Sequence, residues 1–113
     1  MGRILSISIK LDIKGHGKQV FTANGALEAI IIKRNISFPT IRIYSQEHPE
    51  FVVFEPISQI AAKTYFPRAQ CHSAQGKDLE HYDKIYMSGP FVAEISSGTP
   101  ESTFILNLVM SNG

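Results

Sequence analysis

Phe51-Val52-Val53-Phe54-Glu55-Pro56-Ile57-Ser58-Gln59-Ile60-Ala61-Ala62-Lys63-Thr64-Tyr65-Phe66-Pro67 is the stretch on which the fold turns. Phe51–Phe54 is aromatic and β-branched and is stopped by Pro56, as a short strand would be. Beyond it, Ile57, Ile60, Ala61 and Tyr65 recur at spacings of 3, 1 and 4, which gathers them on one helical face. Pro56 suits a first helical turn, where its missing N–H costs nothing, and Pro67 ends the segment. The spacing predicts a helix over Glu55–Phe66, with Tyr65 in its core face and the phenol at the surface.

Strands are expected on both sides. Toward the N-terminus, Leu5, Ile7, Ile9, Leu11 and Ile13 alternate with Ser6, Ser8, Lys10 and Asp12, the period of a half-buried strand. Lys14–Lys18 then turns the chain on Gly15 and Gly17. Gln19–Thr22 is a short strand and Asn24-Gly25 a hairpin turn, since both residues accept the left-handed conformation of a type I′ turn. Ala26–Lys33, with Ile30-Ile31-Ile32, reads as a central strand covered on both faces. In the connection Arg34–Glu50, Ile41 and Ile43 alternate with Arg42 and Tyr44 and predict a further strand.

Toward the C-terminus, residues 67–82 show no period and read as a polar loop. Lys84–Ser88 and Phe91–Ile95 are strand segments on either side of a bend or bulge at Gly89-Pro90. Ser96–Glu101 is a turn, and Ser102–Met110 places Phe104, Leu106, Leu108 and Met110 on one face.

The chain has 113 residues, 43% hydrophobic and 19% charged, a length that suits a single domain over 1–113. One cysteine, Cys71, excludes an intrachain disulfide framework. No apolar run approaches the roughly 20 residues that cross a bilayer, so a soluble, cytoplasmic protein with no membrane partner is expected. The element order predicts an all-β protein with one helix: a five-stranded OB-fold Greek-key barrel, the helix between strands 3 and 4. Periodicity alone also allows a β-sandwich or another barrel.

The order and spacing of these pieces resemble the bacterial single-stranded DNA-binding proteins. In that family an apolar strand ending in Phe precedes a helix of the pattern small-x-Leu-Ala-x-x-Ala-x-x-Tyr-Leu, as Phe51–Phe66 does here. Lys84-Ile-Tyr-Met-Ser-Gly89 is similar to the family's next strand, and Asn24-Gly25-Ala26 to its Gly-Gly-Ala hairpin. Three departures stand out: no Trp, a longer stretch at 67–82, and an end at Ser111-Asn112-Gly113 without an acidic tail. A tail-less relative resembling the primosomal replication protein fits these best.

The resemblance implies base stacking by Phe54, where the core is the competing role, and by Phe38, which falls where the family often has Trp. Tyr44 and Arg42 lie opposite Ile41 and Ile43, so ring and guanidinium point outward together if the isoleucines are buried. Phe91 is a further stacking candidate, with Phe51 and Tyr86 weaker ones. Lys14, Lys18, Lys33, Arg34, Arg42 and Lys84 are the expected phosphate contacts. Residues 1–49 hold seven cations against three carboxylates, although the whole chain carries only +1.

The expected function is sequence-tolerant single-stranded DNA binding in replication, recombination or plasmid and phage DNA metabolism, with replication proteins as further partners. A homodimer or homotetramer is expected, because the regular first strand, with Ile4 on its polar face, is a plausible pairing edge. The alternatives are an OB-fold protein–protein interaction module and a phage structural β-protein. Four scattered histidines and no nucleotide-binding or nucleophile motif leave no enzyme, metal or cofactor expected.

Overall fold

The computed structural model describes residues 2–32, 39–56, 64–72 and 74–112. Nine strands run through them: β1 (Arg3–Lys10), β2 (Gly17–Ile31), β3 (Thr40–Ser45), β4 (Val52–Phe54), β5 (Thr64–Tyr65), β6 (Ala69–His72), β7 (Asp78–Asp83), β8 (Ile85–Ser96) and β9 (Thr103–Ser111). Every pairing is antiparallel. The main sheet has the order β1-β9-β2-β8-β3-β4 with β5 attached to β2, while β6 and β7 pair only with each other. The fold is thus all-β. The path is open, with β1 and β4 at its two ends, and it is not a closed barrel.

β1 forms as its alternation dictates: Ile7 and Ile9 are buried, Ser6, Ser8 and Lys10 exposed. The apolar face does not extend to Ile13, because the strand ends at Lys10 and Ile13 lies exposed in the following turn. Asp12 organises that turn, its Oδ1 accepting the Lys14 and His16 N–H at 2.8 and 3.0 Å.

The expected hairpin at Asn24-Gly25 is replaced by one long strand. β2 runs through this dipeptide in continuous register with β8, from Gly17 opposite Ile95 to Leu27 opposite Ile85. Pairing with a single neighbour along this whole length outweighs the local turn preference. Gly25 has φ +127°, and a side chain there would run into the Ser111 carbonyl at the end of β9. The glycine therefore marks a close backbone approach within a strand. Past it, β2 takes β9 along one edge, through a register shift between Leu27 and Ala29, and β5 along the other.

β8 likewise continues unbroken through Gly89-Pro90, opposite Ala23 and Thr22. Residues 67–82, expected as a loop, contribute β6 and most of β7, a two-stranded arm. Most of the helix expected over Glu55–Phe66 falls on residues 57–63, outside the described residues. At its C-terminal end Thr64 and Tyr65 are extended, opposite Ile31 and Ile30, so Tyr65 is a strand residue.

The sheet coils around a single cluster to which both ends of the path contribute: Ile7 and Ile9 from β1, Val53 and Phe54 from β4. Ile30, Ile43, Ile95, Leu106 and Leu108, all fully buried, fill the space between. Burying each such side chain contributes about 1.5–3 kcal/mol. The inward-facing positions of β9 are the four that its alternation marks out: Phe104, Leu106, Leu108 and Met110.

Candidate functional site: two outward faces of one sheet

Strands β2, β8 and β3 place Lys18, Glu94 and Arg42 in one cross-strand row, Lys18 opposite Glu94 and Arg42 opposite the same residue. Lys18 Nζ lies 3.5 Å from Glu94 Oε2, and Arg42 Nε lies 3.3 Å from Glu55 Oε2. The second contact lacks hydrogen-bond geometry, so it is a Coulombic one. The Arg42 guanidinium also sits 4.8 Å from the centre of the Tyr44 ring, and the Tyr44 hydroxyl donates to Glu94 Oε2 at 3.3 Å. Ring and guanidinium do point outward together, because Ile41 and Ile43 are buried beneath them. Beside them Thr40, Arg42, Glu55, Pro56, Glu94 and Ser96 line an open cavity of about 480 Å³.

Other expected site residues are placed elsewhere. Phe54 and Phe91 are 8% and 1% exposed and belong to the core, a correction to their expected stacking role. Both turn toward the interior: Phe54 stands opposite buried Ile43 and meets Tyr65 edge-on at 5.1 Å, and Phe91 lies between Phe21 at 6.2 Å and Phe51 at 6.1 Å. Lys84 Nζ donates to Glu28 Oε1 at 2.6 Å, and this contact holds the Glu28 carboxyl below its ordinary pKa. Lys14 is exposed and has no ion pair among the described residues. Phe38, Lys33 and Arg34 lie outside them. Tyr86 is exposed, opposite Ala26. Of the expected residues that the structure describes, only Lys18, Arg42 and Tyr44 come together, and they do so around two carboxylates that any phosphate would have to displace.

The outward face of β1, β9 and the second half of β2 differs in kind. Ile4 is opposite Val109, Ser6 opposite Asn107 and Ser8 opposite Ile105. β2 extends these rows with Ala29 beside Val109 and Ile31 beside Asn107. None of these eight residues is charged, and Ile4 and Ile105 are 63% and 52% exposed. Ser6 Oγ and Asn107 Oδ1 are 2.6 Å apart, so the polar groups at its centre satisfy each other. Ile4 stands out in the sequence as an apolar residue on a polar face. The β9 half of the surface is legible only once its outward positions Ile105, Asn107 and Val109 are set beside those of β1.

No three His, Cys, Asp or Glu side chains among the described residues are grouped to hold a metal ion, and no described helix is long and apolar enough to cross a membrane. No family model, curated protein or solved structure matches the chain.

Proposed function

We propose that the chain is a structural β-module that assembles with further protein through the outward face of β1, β9 and β2. The observation that carries this is Ile4 and Ile105, more than half exposed on an outward face whose one charge on β1 is Lys10, at its end. The outward side of an antiparallel sheet is ordinarily polar, and exposed apolar area at a strand edge is a pairing surface. β1 adds the edge: among the described residues it has one strand neighbour, β9, and over eight residues it contains no proline and no bulge. A homo-oligomer formed through this face is the simplest product. Light scattering coupled to size exclusion tests it: the mass rises with loading concentration, whereas a monomer mass at every concentration overturns it.

Single-stranded DNA binding is the second reading. It is favoured by Arg42 stacked on Tyr44 beside Lys18, since an outward ring with adjacent cations suits an unstacked base and its phosphates. The similarity of Phe51–Phe66 and Lys84–Gly89 to the single-stranded DNA-binding family, and with it a five-stranded OB barrel, belongs to this reading. It ranks second because Phe54 and Phe91 are buried, and Lys18, Arg42 and Lys84 face carboxylates. On oligo-dT it requires an affinity that falls with salt at a log–log slope of roughly −0.7 per phosphate neutralised. Binding that is absent, or insensitive to salt, excludes it.

A further inference from the structure

Among the described residues, β1 and β7 each have an unpaired edge, and they carry opposite charge. β1 reads Arg3-Ile-Leu-Ser-Ile-Ser-Ile-Lys10, with cations at its ends and no acid between them. Its far edge has no partner among the described residues, so alternate N–H and C=O groups face outward. β7 reads Asp78-Leu-Glu-His-Tyr-Asp83, with three carboxylates and no Lys or Arg. It pairs only with β6, in an arm separate from the main sheet. A two-stranded hairpin is marginally stable by itself in water, yet this one exposes Leu79 and Tyr82. Within the arm, Asp78 meets His72 at 2.9 Å and Gln70 Nε2 donates to the Leu79 carbonyl at 3.2 Å; the outer edge of β7 is left open.

We infer that β7 of one copy adds to the β1 edge of a second copy, extending its sheet by one antiparallel strand. The proposal rests on the assembly reading above and makes it head-to-tail. Charge complementarity selects a second copy as the occupant, because one chain carries both the cationic edge and the anionic strand. The register that satisfies the side chains sets Lys10 opposite Asp78, Ser8 opposite Glu80 and Ser6 opposite Tyr82. Tyr82 then stands diagonal to exposed Ile4, Leu79 comes opposite Ile9, and Asp83 is diagonal to Arg3, within reach of its long side chain. The contact is heterologous, since the surface given differs from the surface received, so copies propagate into a ring or a filament instead of stopping at a dimer.

Charge reversal tests the register. Lys10→Asp alone and Asp78→Lys alone each place like charges opposite one another and weaken self-association about tenfold. An equimolar mixture of the two variants restores it, because each edge again faces an arm of opposite charge. The restoration also shows that both variants fold. A second measurement uses disulfide capture in a Cys71→Ser background: Ser8→Cys with Glu80→Cys cross-links copies, and Lys10→Cys with Glu80→Cys, out of register, does not. Self-association that is unchanged in both reversal variants, or that the mixture does not restore, overturns the β7-to-β1 contact and leaves the assembly reading in place. A wild-type chain that is monomeric throughout overturns both.

Discussion

At the scale of single residues, the side a ring faces decides what it can do. Phe54 and Phe91 are stacking platforms by sequence position alone, but each faces the core, Phe54 opposite buried Ile43 and Phe91 opposite Phe21. Replacing either with Ala is expected to lower stability by about 3–5 kcal/mol, measured by chemical denaturation, with no change in surface properties. Two carboxyls give the fold an acid limb. Backbone N–H groups of His16 and Lys14 hold Asp12 below its ordinary 3.8, and the Lys84 ammonium holds Glu28 below its ordinary 4.5. Both are depressed in the folded state, so their contribution is complete above those ordinary values and is lost as pH falls through the lower folded ones. Melting temperature should therefore drop on acidification below about pH 4.5. Asp12→Asn, which keeps the acceptor oxygen but cannot titrate, should flatten part of that limb; an unaltered acid limb would refute the assignment.

Among the elements, legibility followed periodicity. β1 and β9 were readable because one side of each is core and the other is not, which stamps a period of two on Ile7, Ile9, Leu106 and Leu108. β2 was misread because Asn24-Gly25 carries a strong local turn signal and the competing force is non-local: continuous pairing with β8, more than sixty residues away. The same holds at Gly89-Pro90, through which β8 runs in unbroken register with β2. The arm is not legible because no described side chain of β6 or β7 joins the core, so no alternation marks them. Gly25→Ala should test the account of β2. The substitution forces an unfavourable φ and crowds the Ser111 carbonyl, and it should cost more than about 1 kcal/mol. Faster amide exchange at the end of β9 would accompany it, whereas a silent substitution would argue against the close approach.

On the whole molecule, the two outward faces divide the surface by chemistry. The face of β2, β8 and β3 closes its charges on itself through Lys18, Glu94, Arg42 and Glu55, leaving little uncompensated field for a ligand. Exposed pairs of this kind contribute about 0–1 kcal/mol each to stability. The face of β1, β9 and β2 has its charge at the edge, at Lys10, and carries apolar area at Ile4 and Ile105 that the monomer leaves in water. Class-level features were thus legible in the sequence, including the β-rich architecture and the exposed position of Ile4 on β1. The face proposed for assembly was not, because it joins positions about a hundred residues apart, such as Ile4 and Val109.

The most direct measurement is sedimentation velocity on the wild type and on a chain carrying Ile4→Lys with Ile105→Lys. Both positions face solvent, so the double variant should keep its melting temperature. Wild type is predicted to sediment as a concentration-dependent oligomer with or without oligo-dT, and the double variant as a monomer. A wild type that stays monomeric until oligo-dT is added, with the two lysines making no difference, would contradict the account.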